Sequence, residues 1–353
     1  MEKTAKQNIR HLSLPNLEQY FVDNGEKKFR AKQVYDWIWQ KGARHFDDMS
    51  NVSKELRKHL SDKFSLPAIG IDTIQTSADG TVKTRFKTFD NHLIEGVLIP
   101  AEERKTACVS SQIGCSLTCK FCATGFMDRV RNLSYDEIYD QVMLINQQSL
   151  QQYQQKLTNI VFMGMGEPLL NYTHVLQAIE RISAEDGLAM SPRRITVSTA
   201  GVAKMIKKLG DDNARFKLAL SLHAANDKKR NEIMPINESN NIAALVDALN
   251  YYYKKTKQSV TFEYILFQNF NDSLKDAEEL VKVYRRVPAD LVNLIEYNPI
   301  DASNFSKPSD EKTEAFMHYL ESQKVNVRLR RSRGKDIDAA CGQLANKVPS
   351  IKN

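Results

Sequence analysis

From Thr106 onward the chain alternates short apolar runs of strand type with amphipathic stretches of helical type, and no other feature narrows the possible folds as much. The runs are "TACVSS", "TNIVFMG", "RRITVST", "FKLALSLH", "SVTFEYILF", "LVNLIEYNP" and "NVRLRR". Between most of them lie segments such as "SYDEIYDQVMLINQQ", "LKDAEELVKVYRR" and "EKTEAFMHYLES". Strands that alternate with helices pair in parallel and cross over right-handedly. About six such units predict an α/β fold, a partial or full (β/α) barrel. A doubly wound open sheet is the alternative.

Residues 1–75 read as a small helical accessory domain. "RAKQVYDWIWQK" places Val34, Trp37 and Ile38 at helical spacing, and "SKELRKHLSDKF" does the same with Leu56, Leu60 and Phe64. Asn51 to Ser53 offers a helix start, and the two tryptophans read as core. Lys27, Lys28, Arg30 and Lys32 form either a solvated face or a surface for RNA phosphates. Residues 76–105 hold "TVKTRFKTF" and "HLIEGVLIP" joined by Asp90-Asn91, a β-hairpin leading into a core of residues 106–345. Residues 346–353 form a short tail. The Gln-rich "NQQSLQQYQQK" is an exposed helix end or loop.

The net charge of +7 permits a polyanionic partner without proving one. No stretch approaches the roughly 18 apolar residues of a membrane span. "MEKTAKQNIRHL" lacks the apolar core of a signal peptide, so a cytoplasmic location is expected.

Five cysteines are present: Cys108, Cys115, Cys119, Cys122 and Cys341. An odd count in such a chain argues for metal or catalytic work rather than a disulfide scaffold. "GCSLTCKFCATG" spaces Cys115, Cys119 and Cys122 as C-x3-C-x2-C. Three thiolates from one loop can hold three corners of an iron–sulfur cluster and leave one iron open, whereas ordinary clusters use four. A zinc site needs a fourth ligand, and Cys108 keeps that reading open. In "FMGMGEPLLN", Gly164 and Gly166 permit close backbone approach, and Glu167 can hold an ammonium group. Ser198 in "VSTAG", Ser221 and His223 in "SLH", and Asn298 in "EYNP" fall at strand C-terminal ends. A (β/α) barrel keeps its ligand-binding residues there, though each alone also reads as a cap or turn residue.

The cysteine spacing, with aromatic Phe121 before the last thiol, resembles that of the radical S-adenosylmethionine (SAM) enzymes. The resemblance implies a radical SAM partial (β/α) barrel and a [4Fe-4S] cluster on Cys115, Cys119 and Cys122. It further implies SAM chelated at the open iron and cleaved to a 5′-deoxyadenosyl radical. Gly166, Glu167, Ser198, Ser221, Leu222, His223 and Asn298 would contact SAM. Together with "CVSSQIGC", "SPRRITVSTAG", "SLHAAND", "MPIN" and "DIDAACGQL", these motifs resemble the RlmN/Cfr family over Glu95 to Leu344. Its members methylate adenosine in RNA. Carbons 2 and 8 of adenine are electron-poor and do not attack the SAM methyl as an amine or thiol does, which is why a radical is needed.

The resemblance implies that Cys341 is methylated by one SAM and that its S-methyl group then loses a hydrogen and bonds to the adenine carbon. Cys108 would free the base by forming a transient disulfide with Cys341, and Glu95 would be a proton acceptor. On the residues alone, Cys341 reads as a buried structural thiol and Glu95 as an exposed strand glutamate. RlmN-type members modify carbon 2 in 23S rRNA and in tRNA 3′ to the anticodon; Cfr-type members modify carbon 8. "GEPLLN" and "RSRGKDID" lie nearer the RlmN type. The expectation is therefore a carbon-2 enzyme acting on 23S rRNA and tRNA as a monomer, fed by a flavodoxin-type reductant.

Arg328, Arg330, Arg331, Arg333 and Lys335 form the densest basic run. It is either a solvated edge strand or a phosphate contact beside Cys341. With no RNA-recognition module in the sequence, base access is expected to need local unfolding or flipping of the target nucleotide. Asp336 and Asp338 are expected to serve loop hydrogen bonding.

Overall fold

The computed structural model describes residues 6–347. Its N-terminal part is three helices, α1 (Leu14–Asp23), α2 (Lys28–Trp39) and α3 (Lys54–Lys63), closed by a parallel pair, β1 (Gln7–Asn8) with β2 (Phe64–Ser65). Ser13 and Ser53 cap α1 and α3, accepting from the amides of Asn16 at 3.3 Å and Leu56 at 3.2 Å. Trp39 is buried and Trp37 half-buried. The helices pack onto α4 (Tyr135–Tyr153), where Trp39 meets Tyr139 edge-on at 5.2 Å and Arg10 pairs with Asp140 at 2.8 Å.

The main sheet begins with antiparallel strands β3 (Gly70–Thr76), β4 (Val82–Lys87), β5 (Leu93–Pro100) and β6 (Lys105–Cys108). The β4–β5 hairpin turns through Asp90 and Asn91, with Asn91 left-handed at φ 68°. Two features differ from expectation. β3 lies within the stretch expected to be helical, and the hairpin is the flank of the main sheet, because β5 pairs with β6. A minor ladder, β7 (Gln112–Ile113) with β8 (Arg131–Asn132), follows β6.

The remaining strands are β9 (Asn159–Phe162), β10 (Ile195–Thr199), β11 (Lys217–Ser221), β12 (Val260–Leu266), β13 (Ala289–Glu296) and β14 (Val327–Arg330). From β6 through β14 the main-sheet strands are parallel and lie side by side in chain order. The crossovers carry α4, α5 (Tyr172–Ser183), α6 (Ala203–Asp211), α7 (Asp227–Ile233) with α8 (Ile242–Thr256), α9 (Leu274–Tyr284) and α10 (Asp310–Ser322). A doubly wound sheet reverses its order at a switch point. This one never reverses, so right-handed crossovers put every helix on one side and the sheet curves. β14 does not pair with β3, and the barrel stays partial.

Period-2 alternation divides the two faces. Ile160, Phe162, Val197, Leu218, Leu220, Phe262, Tyr264, Val292 and Leu294 face the helices and are at most 1% exposed. On the concave face stand Asn159, Thr196, Ser198, Lys217, Ser221, Thr261, Glu263 and Asn293, which line cavities. A closed barrel fills its interior with branched apolar side chains; small and polar ones here leave it open. Among the described residues, no helix is long and apolar enough to cross a membrane. The expected tail lies outside the described residues beyond Lys347.

Candidate active site

The cysteine loop runs between β6 and α4 and is braced by the turn after β9. Gly166 adopts φ 92°, and a Cβ there would collide with Gln112. That contact seats the glycine turn on the loop, and Glu167 donates its amide to Gln112 Oε1 at 2.9 Å. Cys115, Cys119 and Cys122 then line one cavity of about 150 Å³ together with Gly166, Glu167, Ser198, Ser221, His223 and Cys341.

Glu167, Ser198, Ser221 and His223 are each held by hydrogen bonds. Glu167, 4% exposed, accepts from the amides of Ala200 at 2.8 Å and Leu169 at 3.0 Å. Burial pushes its carboxyl up, and those amides offset only part of the rise. Ser198 and Ser221 hydroxyls meet at 3.1 Å. Burial drives His223 down to about 3, so its ring is neutral, and Nδ1 accepts from the Ile265 amide at 3.1 Å. Phe121 packs edge-on against that ring at 4.8 Å.

Burial pushes the Cys115 thiol up to about 11 and Cys119 well above the usual range, with the neighbouring cysteines adding to both. Such a trio needs a strong positive centre to ionise, which fits an iron–sulfur cluster. Zinc fits poorly. Cys108 faces a different cavity, and among the described residues no three His, Cys, Asp or Glu side chains converge on one ion.

A second cavity, of about 570 Å³, opens along the concave face. Its wall includes Cys108, Arg104, Lys217, Glu263, Asn293 and the basic run from Arg328 to Arg333. Cys341 lies on the wall of both cavities. Burial pushes Cys108 up to about 12, the Cys341 sulfur adds to this, and the guanidinium of Arg330 opposes it. Arg330 lines the same cavity as both thiols, and its cation is favoured by both. All five cysteines are free thiols.

The loop carrying Cys341 is clamped on three sides. Its backbone accepts from the Ala123 amide at Gly342, 2.7 Å, and from the Thr124 hydroxyl at Leu344, 2.6 Å. Asn298 Nδ2 donates to the Cys341 carbonyl at 3.3 Å. Toward β3–β5, Asp336 accepts from Ser77 Oγ at 2.5 Å and the Ala78 amide at 3.1 Å. The Asp338 carbonyl accepts from Lys83 Nζ at 3.4 Å. Glu95 Oε2 accepts from the amides of Ala345 at 2.9 Å and Asn346 at 3.1 Å.

The structure therefore gathers most of the expected residues and leaves three off the cavity walls. Glu95 is buried, not exposed, and ties down the chain after Cys341. Asn298 holds the Cys341 backbone. Leu222 is a buried hinge of backbone bonds, donating to the Glu263 carbonyl at 3.0 Å and accepting from Arg230 Nε at 3.1 Å. Sequence reasoning missed Arg230, fully buried and bonded to the carbonyls of Ala200 and Leu222, and Glu263 on the concave face. A lone carboxylate inside the apolar run "TFEYILF" was the available signal for the latter.

Comparison with known proteins agrees with this geometry. Residues 7–66 match the model for the ribosomal RNA large subunit methyltransferase N-terminal domain, and residues 109–282 match the radical SAM superfamily. A "probable dual-specificity RNA methyltransferase RlmN" of Cytophaga hutchinsonii is 56% identical over 97% of this chain and 93% of its own. The "dual-specificity RNA methyltransferase RlmN" of Campylobacter fetus is 43% identical over 91% and 94%. The crystal structure of a radical SAM methyltransferase from Sphaerobacter thermophilus superposes with a TM-score of 0.90 at 39% identity, covering 96% of this chain and 99% of that one. With an N-terminal match, a core match and near-full-length relatives in agreement, the chain belongs to the RlmN family of radical SAM RNA methyltransferases.

Proposed function

We propose that this chain methylates carbon 2 of an adenosine in 23S rRNA, and of the adenosine 3′ to the anticodon in tRNA, through a one-carbon unit carried on Cys341. The observation behind this reading is the position of Cys341 on a wall common to two cavities. Cys115, Cys119 and Glu167 line only the smaller cavity, Cys108 with Arg328, Arg331 and Arg333 only the larger, and Cys122 and Arg330 border both with Cys341. A thiolate is a good nucleophile toward a sulfonium methyl group. When bound, the cluster and SAM supply a 5′-deoxyadenosyl radical that abstracts hydrogen.

Cys341 takes a methyl group and loses one of its hydrogens, and the resulting methylene radical bonds the adenine carbon. The ring then gives up the proton on that carbon and one electron, which the bound cluster would take back, and the methylene takes up a proton to become the methyl group when its bond to sulfur breaks. Cys108 attacks the Cys341 sulfur, forming a disulfide as the methylated base leaves. Arg330 opposes the burial that keeps the Cys108 sulfur protonated, and Glu167 holds the SAM ammonium. Arg328, Arg331 and Arg333 offer contacts to RNA phosphates. Glu95 enters this reading through the loop it anchors rather than as a proton acceptor. A flavodoxin-type reductant supplies the electron, and the enzyme works as a cytoplasmic monomer. The names of the relatives support two RNA substrates, and "GEPLLN" with "RSRGKDID" supports carbon 2.

Nucleoside mass spectrometry of rRNA and tRNA from cells with and without the protein tests this. Loss of 2-methyladenosine from both RNAs is expected. Loss of 8-methyladenosine instead would assign carbon 8, and an unchanged profile would sink the proposal.

A further inference from the structure

β12 carries a single carboxylate, Glu263, in register with Ser221 on β11 and Asn293 on β13. It is 4% exposed and borders both cavities. Its Oε1 accepts from Asn293 Nδ2 at 2.8 Å. Its Oε2 has no close hydrogen-bond donor and is met only by a long ion pair with Arg330 Nη1 at 3.5 Å. A buried carboxylate oxygen lacking a donor is costly and calls for an explanation, and no step described so far uses it.

Asn293 gives one of its two amide hydrogens to Glu263, and its Oδ1 is an acceptor. Asn293 borders only the larger cavity, the one that also holds Cys108. This wall thus offers two acceptors to whatever lies beside the two thiols. An exocyclic amine donates two hydrogens; a keto oxygen donates none. We propose that Glu263 and Asn293 select the target base by accepting the two hydrogens of the adenine 6-amino group, and so reject purines with a carbonyl at position 6. This rests on the RNA-methylation reading above and adds the element that chooses adenine within it.

The test uses short RNAs carrying adenosine, inosine or purine riboside at the target position. All three keep a hydrogen on carbon 2. The wild-type enzyme is expected to favour adenosine over both by about tenfold or more. Glu263→Gln keeps the shape but offers a donor to a keto oxygen, so its adenosine-over-inosine ratio falls about tenfold. Asn293→Ala lowers the adenosine-over-purine-riboside ratio. Each ratio compares substrates within one variant, so a partly unfolded preparation lowers both rates alike and leaves it unchanged. Wild-type ratios retained in both variants would overturn this inference and leave the methylation reading standing. A wild-type enzyme that methylates no adenosine RNA would overturn both.

Discussion

Cys341, Cys108 and Arg330 line the same cavity, and the division of labour proposed for the two thiols has a direct consequence. Removing the second thiol leaves the first with no nucleophile to free it. Cys108→Ala is therefore expected to accumulate RNA covalently attached at Cys341, seen as a slow, nuclease-sensitive band on a denaturing protein gel. Clean product release by that variant would falsify the resolving role. The cysteines and the Gly166–Glu167 turn were legible because their chemistry is local: three thiols and a glycine turn declare themselves within a few residues. Glu95 was not, since the amides it binds lie 250 and 251 positions further on. Glu263 was hidden for another reason. Alternation along β12 puts it on the concave face, and only the polar lining of neighbouring strands turns that face into a cavity.

At the scale of elements, the parallel strands and their helices could be read because Val, Ile, Leu and Phe mark the side each strand turns to its helices. β3 escaped because "GIDTIQT" is an edge strand whose Ile71 and Ile74 are 42% and 49% exposed. Its pairing with β4, rather than its own pattern, makes it a strand. The segment after β14 shows how tightly a loop can depend on one backbone conformation. Gly334 takes φ 66°, and a Cβ there would meet Ala339 at 2.7 Å and Thr81 at 2.9 Å. Its amide also donates to Asp79 at 3.0 Å. Gly334→Ala should cost about 1–2 kcal/mol of loop docking and slow methylation roughly tenfold. Because the strain is local, the melting temperature should change little. A methylation rate equal to wild type would remove this loop geometry from the account.

For the whole molecule, the three-helix part is joined to the barrel by a buried ion pair rather than by a loose tether. Arg10 is 2% exposed, and Asp140 is held by Arg10 at 2.8 Å and by the Ile69 amide at 3.2 Å. Burial raises the Asp140 carboxyl, and Arg10 is the main force opposing it. Arg10→Ala leaves that carboxylate without its cation and should destabilise the chain by about 3–5 kcal/mol, measured by urea unfolding. An unchanged midpoint would mean that the helices dock by apolar contact alone. The same view gives the loop from Gly334 to Lys347 a mechanical meaning. The ten strands run from β14 to β3 without joining, so the sheet is a hoop with a gap. Asp336 on Ser77 and Glu95 on Ala345 fasten one margin to the other, making the segment a buckle across that gap. Cys341 is mounted on the buckle itself. On the proposed reading, a displacement carrying its sulfur from one chamber toward the other would slacken the hoop, so access for a bulky polynucleotide and movement of the one-carbon carrier would become a single motion.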